Sequence, residues 1–184
     1  IMNKYVSYTK KDNWTTHIDY IKVIEPYIPA DLVINDPFYF NGYVKELWKE
    51  LGRDIIHDDK DFFTTNHIAD IFVSNPPFSI INKILVHLFT LEKPFILLIP
   101  IQKICMIKTQ KILKPQTNIQ VIISPIYQGF INDEGIETKC PSQYYCYLCW
   151  NVKLPNDLVF ASPLYDTKSG VKPKTSKWKD RKKI

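Results

Sequence analysis

The sequence predicts an α/β domain: a mostly parallel central sheet with helices on both faces. Three observations predict it. Short apolar runs such as Ala30–Asn35, Ile68–Ser74 and Pro94–Pro100 alternate with helical-period segments of about 10 to 12 residues. A length of 184 residues suits one domain with a sizeable core and is short for two. Polar clusters follow the first three strands, at the sheet end where such folds gather their ligands.

Each element has its own signature. Trp14–Ile28 carries Ile18, Ile21, Val23, Ile24 and Tyr27 at near-helical spacing and is closed by Pro26 and Pro29. Ala30–Asn35 reads as a buried strand and Asp36–Gly42 as the loop after it. Tyr43–Leu51 is a helix stopped by Gly52. Arg53–His57 is the second strand, followed by the acidic loop Asp58–Asp61. Ile68–Ser74 is the third strand and Ile80–Leu91 a helix. Pro94–Pro100 is the fourth strand and Gln102–Leu113 another helix. Asn118–Ser124 and Gln143–Asn151 complete the sheet, joined by a loop containing Asp133, Glu134 and Gly135. This predicts a folded domain over 1–152 and a Pro/Lys-rich tail over 153–184, where no periodic core signal appears.

Composition excludes several classes. Hydrophobic residues make up 45% and charged residues 23%, a globular balance. The longest apolar run, Phe95–Ile99, is far below the roughly 20 residues of a membrane span. The polar N-terminal stretch has no apolar signal core, so the expected location is intracellular, cytoplasmic or nuclear, and not secreted. Of four cysteines, Cys146 and Cys149 sit in an aromatic run that reads as a strand. Positions i and i+3 of a strand face opposite ways, which suits structural thiols and not a shared metal. His17, His57, His67 and His87 show no ligand spacing, and no metal is expected. Frequent Ile, Lys and Asn suit an AT-rich genome, such as that of a virus, phage or parasite.

The net charge of +5 is unevenly placed. From Lys168 onward eight Lys or Arg face one acid, Asp180, so the other 167 residues sum to −2. Lys172, Lys174, Lys177 and Arg181 in this tail suit a phosphate backbone, bound through counterion release without sequence readout. A solvated terminus with no partner explains the same charges.

The sharpest chemical signal is Ser74-Asn-Pro-Pro-Phe78, directly after an apolar strand. Pro76 and Pro77 stiffen the backbone and remove two N–H donors, so the loop offers acceptors. The Asn75 amide oxygen and the Pro76 carbonyl suit a planar –NH2 with two protons to donate. Holding both protons draws that nitrogen toward tetrahedral geometry and exposes its lone pair. Phe78 adds a flat face for a heterocycle. Alone, the same residues would make a Pro-Pro turn with a core Phe.

These residues resemble the Asn-Pro-Pro-aromatic motif of amino methyltransferases, specifically small phage- and virus-type adenine N6-methyltransferases. RNA adenosine enzymes with Asn-Pro-Pro-Phe are also similar. The resemblance covers residues 13–150 and implies a Rossmann-like fold, S-adenosyl-L-methionine as cofactor, and catalysis centred on Asn75, Pro76, Pro77 and Phe78. Asp36-Pro37-Phe38 with Gly42 resembles the family's cofactor loop, in which an acid accepts from the cofactor ammonium. This copy keeps only Gly42, and Tyr39 and Phe40 stand where small residues are usual. The resemblance assigns the ribose hydroxyls to Asp58, with Asp59 as rival, and the cofactor adenine to Asp61 and Phe62. A solvated acidic loop is the alternative. Thr15 and Thr16, in Asn13-Trp-Thr-Thr16, resemble the segment closing over the methionine end and equally suit a helix N-cap. Tyr127 and Phe130 stand where a second aromatic meets the flipped base, or else pack the core.

The expected function is methyl transfer to an adenine of nucleic acid, with DNA slightly preferred over RNA. No obvious insertion is large enough for a target-recognition domain, so the expectation is either weak specificity or specificity supplied by a partner subunit. Transfer to a protein glutamine amide is a rival, which Phe78 and the basic tail oppose. A non-catalytic scaffold or nucleic-acid-binding relative is the rival of another class.

Overall fold

A computed structural model describes residues 15–126, 130 and 143–164. The expectations for Asn13, Trp14, Tyr127, the Asp133–Gly135 loop, Lys172, Lys174, Lys177 and Arg181 lie outside the described residues. Helix α1 spans Ile18–Ile24, strand β1 Ile34–Asn35, and helix α2 Tyr43–Glu50. Next come β2 (Ile71–Ser74), α3 (Ile81–Leu91), β3 (Phe95–Pro100), α4 (Gln102–Cys105) and α5 (Ile107–Leu113). Strands β4 (Ile119–Ile123), β5 (Tyr145–Trp150) and β6 (Leu158–Phe160) follow.

The six strands form one mixed sheet in the order β1-β2-β3-β5-β4-β6. Strands β1, β2 and β3 pair in parallel, β3 and β4 both run antiparallel to β5, and β6 is parallel to β4. Five strands therefore point one way and β5 alone is reversed. Side chains alternate between two apolar layers, as the period of two requires. Ile71, Val73, Ile96, Leu98 and Tyr147 face the layer holding Tyr20 and Ile24 of α1 and Leu47 and Trp48 of α2. Phe72, Phe95, Leu97 and Leu148 face the other, with Ile84, Leu85 and Leu88 of α3 and Leu113 of α5. Helices thus cover both faces, and near-continuous burial of β2 and β3 follows. Cys146 lies in the second layer and Cys149 in the first, on opposite faces.

Several boundaries differ from the sequence reading. The first helix begins only after His17, whose Nδ1 accepts the Asp19 N–H at 3.2 Å, and Pro26 tightens its end into a 3-10 turn at Glu25–Tyr27. The first strand shortens to two residues because Pro29–Leu32 turns and the Asp70 carboxylate takes the Val33 N–H at 2.8 Å. The expected strand at Arg53–His57 is a single parallel bridge, Asn35 to Ile56, because the chain then leaves the sheet. The expected helix over Gln102–Leu113 breaks at Met106, which is extended. The sheet also continues past residue 152. Strand β6 escaped notice because only Val159 of its three residues is buried. Among the described residues no helix is long and apolar enough to cross a membrane.

This topology positions a site. After β1 the chain crosses to Ile56 on one side, then returns to β2 on the other. The crossovers diverge between β1 and β2, and a crevice opens there at the strands' carboxyl ends. Asp36 and Asn75 are the residues that leave those two ends.

Candidate functional site

Asp36 is 4% exposed, and among the described residues both hydrogen bonds to its carboxylate end on Oδ1. The Ser74 hydroxyl donates at 2.5 Å and the Phe38 N–H at 3.2 Å. Oδ2 accepts no bond among the described residues. Burial raises the Asp36 pKa above the ordinary 3.8, while the neighbouring His57 and the Ser74 and Phe38 bonds oppose that rise.

His57 is the residue that sequence reasoning missed. Its Nδ1 lies 2.8 Å from the Asp36 carbonyl oxygen, which can only accept, so Nδ1 carries the proton. In the neutral ring Nε2 is then an acceptor, and that atom is buried without a partner among the described residues. The signal in the sequence is a polar residue closing the apolar pair Ile55-Ile56, directly before the acids Asp58 and Asp59.

The upstream threonines sit at the same crevice. Thr15 and Thr16 are both buried, and the Asn41 side-chain amide donates to Thr15 Oγ1 at 2.9 Å. The N-cap of α1 is His17, so neither threonine serves there. One part of the crevice is lined by Thr15, Thr16, Asp36, Phe38, His57 and Asn75. Its continuation, about 300 Å³ including the open mouth, runs between α1, α2 and the sheet, past Tyr20, Trp48, Ser74 and Tyr147. Tyr147 is fixed there by donating to the Tyr20 carbonyl at 2.5 Å.

Asn75 lines both parts, and its Oδ1 is buried with no hydrogen-bond partner among the described residues. A buried acceptor left open is unfavourable by about 1–3 kcal/mol, so a donor belongs against it. Pro76 and Pro77 are buried and pin the loop, and Phe78 is half-buried. The Phe78 ring lies 6.0 Å from that of Tyr145 at an interplanar angle of 38°.

Phe130 stacks on Tyr20 at 5.3 Å, meets Tyr145 edge-on at 5.0 Å and is 6% exposed. Of the two readings left open for Phe130, core packing holds. Tyr145 is the aromatic beside Phe78, and sequence alone gave no reason to choose it from the run Tyr144–Trp150.

The acidic loop is arranged differently from its expected roles. Asp58 accepts Lys60 Nζ at 2.6 Å, a bond that with their charge attraction lowers its pKa, and Asp59 is exposed. Asp61 Oδ1 accepts the N–H groups of Phe63 and Thr64 at 2.8 and 3.1 Å, which closes a turn. Phe62 is 2% exposed, enclosed by Phe38, Phe63, Phe72, His67 and His87, and presents no open ring face. Its half-buried neighbour Phe38 lines the crevice, while Phe63 lies against His87, with Lys83 Nζ 4.1 Å from the Phe63 ring centre.

Gly42 opens α2 at φ +76°, a conformation that other residues rarely adopt. A Cβ there would meet the Tyr39 hydroxyl at 2.7 Å, and the Tyr39 ring in turn packs on His57 at 5.0 Å. Pro37 is buried in the same loop. Neither the protein-family models nor the curated proteins contain a match to this chain.

Proposed function

We propose that the chain is an S-adenosyl-L-methionine-dependent methyltransferase acting on the N6 amino group of adenine in nucleic acid. DNA is the first polymer to test and RNA, cap or internal, the alternative. The observation that carries the reading is the unpartnered Asn75 Oδ1, buried in the crevice that Asp36 and His57 share. Five codirectional strands and two helical layers support a Rossmann-like fold, with β5 as its reversed strand.

The residues fit the cofactor by their chemistry. Asp36, through Oδ2, suits the ammonium of the methionine end, with Thr15 and Thr16 beside it. His57 Nε2 and Asp58 are the acceptors for ribose hydroxyls, and Phe38 takes the flat-surface role in place of the enclosed Phe62. When bound, S-adenosyl-L-methionine supplies an electrophilic methyl group on its sulfonium.

The other half of the chemistry belongs to the loop after β2. Asn75 Oδ1 and the Pro76 carbonyl would accept hydrogen bonds from the two N–H groups of the target amine, which localises electron density on nitrogen as its lone pair. As the N–C bond forms and the S–C bond breaks, the methylated nitrogen releases one proton to water. Apolar side chains beside Asn75 in the deeper part of the crevice, Ile21, Val73 and Leu98, strengthen those hydrogen bonds. Phe78, braced by Tyr145, stacks the base, and no strong base is needed for the attack itself.

A second reading, a silent relative that binds nucleic acid without transfer, is favoured by one observation. Tyr39 lies over Gly42, where the cofactor loop of the resembled family is open. Calorimetric titration with S-adenosyl-L-methionine, followed by transfer of label to single- and double-stranded DNA and RNA, separates the two. Micromolar binding with N6-methyladenine in the product supports the enzyme. No binding at millimolar cofactor overturns it and leaves the silent relative.

A further inference from the structure

Beyond the crevice, the described surface carries one patch both basic and apolar. From Lys93 to Asn132 the sequence holds five lysines and no acid, although residues 1–167 together are net acidic. Four of the five, Lys103, Lys108, Lys111 and Lys114, lie on or directly after α4 and α5. None of these four forms an ion pair among the described residues. Between them large apolar side chains face solvent: Met106 is 50% and Ile107 73% exposed. Lysines around an exposed apolar centre suit a polyanion that also has flat apolar faces.

The patch begins at the same end of the sheet as the crevice. Strands β2 and β3 run in parallel, so α4 starts at the sheet end where Asn75 and Phe78 lie. Tyr145, the ring beside Phe78, pairs with Pro100 across the sheet. The next residue, Ile101, donates its N–H to the Tyr144 carbonyl at 2.9 Å, and Tyr144 is 69% exposed. The backbone therefore joins the strand end that carries Tyr144 and Tyr145 directly to the start of α4. Thr109 donates to Asn82 Oδ1 at 2.8 Å, which fixes α5 to the helix that follows the Asn-Pro-Pro-Phe loop.

We propose that α4 and α5 form the docking face for a nucleic-acid strand. The bases next to the target rest on Tyr144, Met106 and Ile107, and their phosphates lie on Lys103, Lys108 and Lys111. This rests on the reading of the crevice as an adenine site and gives the strand its direction away from that site. Apolar side chains against unstacked bases, with lysines for the backbone, are the chemistry of single-strand binding and of apolar wedges between bases.

The test uses the full chain and short labelled DNA and RNA strands, followed by fluorescence anisotropy across a salt series. Two variants are compared with the parent: Lys103→Glu/Lys108→Glu/Lys111→Glu and Met106→Ser/Ile107→Ser. The first should weaken strand binding at least tenfold and flatten the log–log salt slope by about 2, roughly 0.7 for each lost single-strand phosphate contact. The second should weaken binding about tenfold at every salt concentration with the slope unchanged. Both should bind S-adenosyl-L-methionine within twofold of the parent. Unchanged strand affinity in both variants overturns the docking face alone, since cofactor binding on the same samples reports the crevice separately. A parent that binds no strand overturns the docking face as well, and its cofactor titration then decides the crevice reading. A dimeric parent that the Met106→Ser/Ile107→Ser variant converts to a monomer in sedimentation assigns the face to a second copy instead.

Discussion

The Ser74 hydroxyl donates to Asp36 Oδ1 at 2.5 Å across the gap between the carboxyl ends of β1 and β2. The two residues are 38 apart in sequence, and their bond joins the loop that would hold a cofactor to the loop that would hold an amine. It leaves Asp36 buried with its second oxygen open, so the carboxyl is costly to ionise until a cation meets it.

From that follows a prediction with two opposite signs. Asp36→Asn keeps acceptors for Ser74 and Phe38 but removes the charge. Cofactor affinity should fall by roughly ten- to a hundredfold, the scale of one hydrogen bond to a charged group at about 1.5–3 kcal/mol. The ligand-free variant should unfold at a higher temperature than the parent at neutral pH. Calorimetry and thermal unfolding read the two effects, and a variant with unchanged affinity would remove Asp36 from the ammonium site.

The same carboxyl sets a pH dependence. Because its folded pKa is raised above 3.8, the folded protein binds more protons than the unfolded chain from that value up through the folded one. The ligand-free parent should lose stability as pH rises through that window, and Asp36→Asn should not. Cofactor affinity should move the other way, falling as pH drops through the raised pKa because the neutral acid no longer attracts an ammonium. Titrations at several pH values in parent and variant check both slopes.

Asn75→Ala should abolish methyl transfer while cofactor affinity stays within a few-fold. The buried Oδ1 bonds nothing in the described protein, so its loss relieves an unsatisfied acceptor and should not destabilise the fold. Transfer assays and calorimetry on one preparation suffice, and surviving activity would refute the amine-binding role.

Two phenylalanines should separate. Phe62→Ala opens a cavity among Phe38, Phe63 and Phe72 and should destabilise the fold by about 3–5 kcal/mol. Phe78→Ala, at a half-buried position, should act mainly on substrate, through loss of stacking of about 1–3 kcal/mol per base. Denaturant unfolding and substrate KM measured for both would show whether core and site divide as the burial indicates.

Asp58→Ala and His57→Ala together assign the ribose. If Asp58 holds it, its loss should weaken cofactor binding about tenfold, one charge-assisted bond. If His57→Ala has that effect and Asp58→Ala has none, the acceptor is the imidazole, and the Asp58–Lys60 pair is only a surface contact.

The sequence by itself determined the α/β class, the two helical layers and the loop Ser74–Phe78. Alternation with a period of two and helical periodicity are local signals, and Pro76-Pro77 has few other conformations. The opposed faces of Cys146 and Cys149 followed from the same period. Tertiary structure alone decided what depends on partners distant along the chain. It shortened β1 through Asp70, reduced Arg53–His57 to one bridge, and added β6, whose single buried residue is too weak a signal to read. It also made Phe62 and Phe130 core residues, turned Asp61 into a turn acceptor and brought His57 to Asp36. Each of these rests on a hydrogen bond or ring contact whose partner periodicity cannot name, because an acid, imidazole or ring takes its role from whatever the fold places against it.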